Sequence, residues 1–127
     1  MLLTTVMLVA ACASQPSPSP APTGAETFTR YCASCHGVRG DGTGPVAAVM
    51  NDSMPDLTAL ARRNGGEFPA DRVASYVDGR SLPPAHGSRT MPIWGPAFDP
   101  MARLVVDAET AGPRVAELVE YLRTLQR

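Results

Sequence analysis

Apolar residues recur at helical spacing near the end of the chain and mark its clearest predicted helix. This helix is predicted to begin at Gly112-Pro113, because proline is favoured in the first turn of a helix. Glu117 near its start and Arg123 near its end carry the charges that the helix dipole favours. Its apolar stripe consists of Val115, Leu118, Val119, Leu122 and Leu125. Such a stripe indicates a helix that buries one face against the rest of a domain.

Three shorter segments carry helical signals of the same kind. Thr23 and Glu26 have the spacing of a capping box, which predicts a helix that starts after Thr23 and runs into the first cysteines. Segments 55–63 and 71–78 each place apolar residues three and four positions apart, and Gly79 would end the second. Their apolar faces are formed by Leu57, Leu60 and Ala61, and by Val73, Tyr76 and Val77. With no convincing strand pattern, the expected fold class is all-α.

Size and composition narrow the architecture further. The 127 residues are enough for one domain at most, and 13 prolines with 11 glycines favour a small, loop-rich fold. A bound apolar prosthetic group would add buried apolar surface to a core of this size and so stabilise it. The formal net charge of −1 gives no reason to expect a nucleic-acid partner.

The stretch Cys32-Ala33-Ser34-Cys35-His36 carries the candidate chemistry. Two cysteines separated by two residues and followed by histidine form the attachment signature of a c-type haem. Each thiol can add to one vinyl group of the porphyrin, and the imidazole of His36 then lies under the iron as an axial ligand. The motif therefore predicts one covalently bound haem c.

Two alternatives exist for the same cysteine pair. A redox dithiol normally accompanies a βαβ pattern, and none is visible here. Half of a zinc site would need two more ligands, for which the chain offers Cys12 and His86.

Beyond this motif, the chain from about Thr23 onward resembles the class I c-type cytochromes. The stretch from Gly37 to Pro45 is similar to the glycine-rich segment that follows the haem histidine in that family. Met91-Pro92-Ile93-Trp94-Gly95 matches its distal-ligand motif. The resemblance implies that the first and last helices cross, through contacts between Gly24, Phe28, Leu118 and Tyr121. A glycine-rich phosphate cradle is the competing interpretation of the first stretch, but the Lys-Ser/Thr ending is absent.

The resemblance also implies roles for single residues. Met91 would be the sixth ligand of the iron, and a thioether there raises the reduction potential. The carbonyl of Pro45 would accept a hydrogen bond from His36. Trp94 would pack on the haem edge or donate to a propionate, and Arg80 is a further candidate to bind a propionate. Competing ligands are Met50, Met54, Met101 and His86, the last otherwise being an exposed loop histidine.

The first 22 residues indicate export. The apolar run Leu2 to Ala11 has ten residues, too few to span a bilayer but enough for a secretory signal. Val9-Ala10-Ala11-Cys12 resembles the lipobox of bacterial lipoproteins, which implies a lipid on Cys12, although the usual preceding positive charges are absent. Residues 12–22 would then be a Pro/Ser-rich tether to a domain spanning 23–127. An ordinary cleaved signal peptide or an uncleaved anchor is the alternative.

These expectations combine into a function. The chain is expected to transfer single electrons between redox protein partners in the periplasm or at a membrane surface, and to need no catalytic residue. One alternative is a haem peroxidase or gas sensor with a labile sixth ligand. The other is a cytochrome subunit of a dehydrogenase or oxidase complex.

Overall fold

The computed structural model describes residues 21–50, 53–80, 91–98 and 112–127. All regular elements in these ranges are helical, which agrees with the predicted all-α fold. The α-helices are α1 (Gly24–Tyr31), α2 (Ala33–His36), α3 (Leu60–Arg63), α4 (Ala70–Asp78), α5 (Gly95–Phe98) and α6 (Pro113–Thr124), with 3₁₀ turns at Ala47–Val49 and Leu57–Ala59. None of the described helices combines the length and apolar character needed to cross a bilayer.

The start of α1 is the predicted capping box. The hydroxyl of Thr23 accepts a hydrogen bond from the Glu26 amide at 3.3 Å, and the Glu26 carboxylate accepts one from the Thr23 amide at 2.7 Å. The hydrogen bonds that the amide and the hydroxyl of Thr23 donate to this carboxylate lower the pKa of Glu26, because they favour its charged form. Two amides that a helix start leaves without a helical partner are thereby satisfied.

The crossing of α1 and α6 forms the centre of the core. Gly24 lies so close to α6 that a Cβ there would clash with the Glu117 carbonyl and lie 2.9 Å from Cβ of Tyr121. Phe28 and Leu118 are each only 1% exposed, and the rings of Phe28 and Tyr121 are 5.4 Å apart. The predicted crossing is confirmed, and the missing side chain at Gly24 is what allows the two backbones to approach.

The helices predicted around residues 71–78 and after Gly112 are also confirmed. Helix α4 starts one residue earlier than predicted, and Gly79 ends it in the left-handed conformation with φ 87° and ψ 5°. Helix α6 has Pro113 in its first turn. Four members of the predicted stripe are buried, Val115, Leu118, Val119 and Leu122, and the fifth, Leu125, is half-buried.

Segment 55–63 differs from the single helix that its spacing predicts. It forms a 3₁₀ turn and then α3, because the amide of Gln126 occupies the place of a helical hydrogen bond between them. Nε2 of Gln126 donates to the carbonyl of Leu57 at 2.9 Å, and Oε1 accepts from the amide of Ala61 at 2.9 Å. A side chain inserted between a carbonyl and the amide four residues later interrupts an α-helix.

Helix α5 has no counterpart among the predicted helices. The carbonyl of Trp94 accepts hydrogen bonds from the amides of Ala97 and Phe98 and so starts this single turn. The predictions for His86, for Met101 and for the first 20 residues fall outside the described ranges.

Candidate functional site

The cysteines and the histidine of the C-x-x-C-H motif lie on one helical turn that continues from α1. The amides of Cys35 and His36 both donate to the carbonyl of Cys32, at 3.1 and 2.9 Å. Cys32 and His36 are each 8% exposed, while Cys35 is half-buried. Because residues three and four positions apart share a helix face, this turn presents both thiols and the imidazole to the same side.

Both cysteines of the motif are free thiols. Burial raises the pKa of Cys32 to about 11, and the neighbouring Cys35 acts in the same direction. A reactive redox dithiol needs the opposite, a cysteine whose pKa is lowered towards neutrality. The environment of Cys32 therefore argues against a redox dithiol at this motif.

The imidazole of His36 is oriented by a carbonyl, but not by the one that the resemblance implied. Nδ1 of His36 lies 3.3 Å from the carbonyl oxygen of Pro55. The assignment of this role to Pro45 is wrong, because Pro45 is exposed and the next residue, Val46, is bonded back to the carbonyl of Ser34. The glycine-rich loop thus folds against α2, and the segment that contains Pro55 lies beside the His36 ring instead.

This contact determines which nitrogen of His36 is available to a metal. A carbonyl can only accept, so the proton lies on Nδ1 and Nε2 keeps its lone pair. Burial lowers the pKa of His36, while the carbonyl of Pro55 acts to raise it. Burial is the larger of the two effects, so the net lowering of the His36 pKa favours a neutral imidazole whose Nε2 can bind iron.

The segment that contains Pro55 is held by hydrogen bonds to two other parts of the chain. Towards the glycine-rich loop, the amide of Leu57 donates to the carbonyl of Gly40 at 2.7 Å. Towards the residues after α6, the amide of Arg127 donates to the carbonyl of Thr58 at 3.1 Å, and Gln126 bonds Leu57 as described above. Pro55 and Gln126 are site residues that sequence reasoning missed, since their partners are distant in the chain.

A cavity of about 340 Å³ lies beside the motif and is lined mostly by apolar side chains. A second cavity, of about 330 Å³, shares part of its wall. The residues common to both are Cys32, His36, Pro55, Tyr76 and Met91. The fold thus brings Met91 to the same enclosed space as His36, although the two are far apart in sequence.

The competing methionines are placed less favourably. Met50 and Met54 line the second cavity but not the larger one, whereas Met91 lines both and packs against the core. Met101 and His86 lie outside the described ranges. Among the described methionines, Met91 is therefore the best placed to meet a group bound between the two cavities.

Trp94 closes the second cavity on the side of α1. It lines that cavity, and its ring lies 5.4 Å from the ring of Tyr31 and 5.6 Å from that of Phe98. This position fits the prediction that Trp94 packs against the edge of a bound cofactor. Donation from its N–H to a propionate stays a prediction.

A comparison with protein-family models decides between the interpretations of this site. The model described as cytochrome c matches residues 21–126. The chain belongs to the cytochrome c family. Searches among curated proteins and among solved structures gave no match.

Membership of the cytochrome c family identifies the cofactor as one covalently bound haem c and the chain as an electron carrier. The site fits that cofactor, because the two cysteines, the buried imidazole of His36 and the thioether of Met91 border the two adjoining, mostly apolar cavities. In the described part of the chain, no group of three or more His, Cys, Asp or Glu side chains is placed to hold a metal ion.

Two arginines border the larger cavity, and sequence reasoning missed both. They are Arg63, which donates to the carbonyl of Asp56 at 2.7 Å, and Arg72, which is bonded to the side chain of Asn64. Arg80, the candidate named from the resemblance, forms an ion pair with Asp78 at 2.5 Å and lines neither cavity, and its role at a propionate stays a prediction. No local sequence signal marks Arg63 or Arg72, so only the fold places them beside the cavity.

Proposed function

We propose that this cytochrome transfers single electrons with its iron held between Nε2 of His36 and the sulfur of Met91. The observation that carries the proposal is that His36 and Met91 border the same two cavities, with Nδ1 of His36 turned to the Pro55 carbonyl. The imidazole is thereby left one free nitrogen on the side away from Pro55. Met91 is the described thioether with access to both cavities.

Haem c, when bound, supplies an iron that gains and loses one electron. The chain contributes a covalent hold through Cys32 and Cys35, a neutral imidazole from His36 and a soft thioether from Met91. The thioether favours the reduced metal, and its presence fills the position that oxygen or peroxide would need. Apolar walls keep water away from the site, which lowers the reorganisation needed for each transfer.

Arg63 and Arg72 are proposed to neutralise the propionates of the cofactor. Both border the larger cavity, and a guanidinium binds a carboxylate through charge-assisted hydrogen bonds. Each already donates one hydrogen bond within the protein, to the Asp56 carbonyl or to Asn64. Since an arginine has five donors, each retains donors for a carboxylate.

Binding of carbon monoxide to the purified, freshly reduced holoprotein tests this proposal against the alternative of a peroxidase or gas sensor. We expect no change in the visible spectrum on addition of the gas, because Met91 holds the sixth position. The oxidised protein should show the band of a methionine sulfur bound to iron. Rapid formation of a carbon monoxide adduct, together with a missing band, would favour a labile sixth ligand and contradict the proposal.

We also propose that the chain is exported, with a signal peptide at 1–11, a tether at 12–22 and the cytochrome domain at 23–127. The lipobox-like Val9-Ala10-Ala11-Cys12 supports a lipid anchor on Cys12, which would hold the domain at the periplasmic side of a membrane. Its partners would be other exported redox proteins. Retention by a large partner complex at high salt would instead favour a permanently bound subunit.

Replacing Cys12 with serine tests the anchor. We expect Cys12→Ser to move the haem-containing protein from the membrane fraction to the soluble fraction, because serine cannot carry the thioether-linked lipid. The measurement is haem staining of membrane and soluble fractions after export. Ser14→Ala, two residues further along, is the matched control and should stay with the membrane. Membrane retention of Cys12→Ser would exclude an anchor at this cysteine.

A further inference from the structure

The segment that carries Met91 lies against the end of α4. The amide of Trp94 donates to the carbonyl of Val77 at 3.0 Å, which joins the two backbones. One residue before Trp94, the side chain of Ile93 lies directly over Gly79. The last turn of α4 and the residues after Met91 therefore form a continuous contact.

The contact of Ile93 with Gly79 leaves no room for a side chain. A Cβ added at Gly79 would lie 2.5 Å from Cγ2 of Ile93, 3.0 Å from Cγ1 and 3.2 Å from Cδ1. Rotation of Ile93 about χ1 would still leave one of its two γ-carbons near Gly79, because the side chain is branched at Cβ. Since Ile93 is 45% exposed, relief would shift its side chain, the backbone of the Met91 segment, or both.

We propose that Gly79 is a positioning residue for Met91. Because Gly79 has no side chain, Ile93 packs directly on its backbone, and this contact determines how far the Met91 sulfur reaches into the cavity. This inference rests on the proposed His36/Met91 ligation. Helix α4 also forms a wall of the larger cavity through Val73, Tyr76 and Val77. The same helix thus bounds the cofactor space and fixes the segment that enters it.

A second glycine provides a matched control for backbone conformation. Gly79 has φ +87° and Gly66 has φ +96°, so alanine is strained at both positions. A Cβ at Gly66 would meet nothing within 4 Å. Gly79→Ala and Gly66→Ala therefore share the backbone strain, and only Gly79→Ala displaces Ile93.

The test compares these variants as purified holoproteins. We expect reduced Gly79→Ala to form a carbon monoxide adduct that the parent protein does not form, as overpacking displaces the Met91 segment. The methionine sulfur-to-iron band of the oxidised protein should weaken in parallel. Gly66→Ala should match the parent protein in both measurements. The double variant Gly79→Ala/Ile93→Ala should bind no more carbon monoxide than Ile93→Ala, since the clash is gone.

Several results would overturn the inference. Equal spectra for Gly79→Ala and Gly66→Ala, whether both unchanged or both altered, would show that the contact with Ile93 does not matter. If Gly79→Ala yields no holoprotein, Ile93→Ala decides: it should loosen the segment and increase carbon monoxide binding, and an unchanged value refutes the role of Gly79. A parent protein without the band would instead mean that the His36/Met91 proposal itself has failed.

Discussion

Replacement of both Cys32 and Cys35 by serine is expected to remove all covalently bound haem from the chain. A hydroxyl cannot form the thioether, and the remaining attachment through His36 does not survive denaturation. The measurement is haem staining on a denaturing gel, with protein matured in a host that attaches haem c. The effect is all-or-none, from one haem per chain to none.

Ser34→Ala is the control for this prediction. Ser34 lies between the two cysteines and its side chain is exposed, so the change leaves both thiols and the turn of α2 in place. It should retain a full haem complement. Each single variant, Cys32→Ser or Cys35→Ser, leaves one thiol and should keep a reduced amount of covalent haem. Full retention by the double variant would show that the cofactor is not attached at this motif.

The attachment motif and the three longest helices, α1, α4 and α6, could be predicted because their signals are local. The capping box at Thr23, the stop at Gly79 and the proline start of α6 each depend on a few neighbouring residues. The crossing of α1 and α6 was found through resemblance. Periodicity alone indicates that a helix has an apolar face, but it does not identify the helix against which that face packs.

The errors arose where the structure depends on contacts between distant residues. The resemblance assigned the acceptor role to Pro45, but Pro55 supplies the carbonyl because the glycine-rich loop folds back on α2. Segment 55–63 has a helical pattern, and the side chain of Gln126 divides it. No local sequence signal marks Pro55 as the acceptor for His36 or Gln126 as the residue that interrupts segment 55–63, since their partners lie far away in the sequence.

These two features are connected. The side chain of Gln126 forms hydrogen bonds with the carbonyl of Leu57 and the amide of Ala61. The amide of Leu57 donates to the carbonyl of Gly40 in the glycine-rich loop. Pro55 lies just before this fastened stretch and is held beside the ring of His36. The position of the His36 imidazole thus depends on the residues after α6, and we propose that the position of the Met91 thioether depends in the same way on the end of α4.

Replacement of Met91 by alanine is expected to change the ligation of the iron without removing the haem. Loss of the thioether removes the methionine sulfur-to-iron band of the oxidised protein and opens the sixth position to carbon monoxide in the reduced protein. The reduction potential should fall by on the order of 100 mV or more, within the range of about 0.8 V that axial ligands cover. Spectroscopy and a redox titration of the holoprotein provide these measurements.

Met54→Ala is the matched control, because Met54 lines the second cavity but not the larger one. It removes the same side chain from the neighbourhood of the cofactor and should leave the band, the potential and the lack of carbon monoxide binding unchanged. Loss of the band in Met54→Ala, with its retention in Met91→Ala, would move the ligand to the earlier methionine. The comparison separates loss of the ligand from loss of packing. Only loss of the iron ligand should change the band, the reduction potential and carbon monoxide binding together.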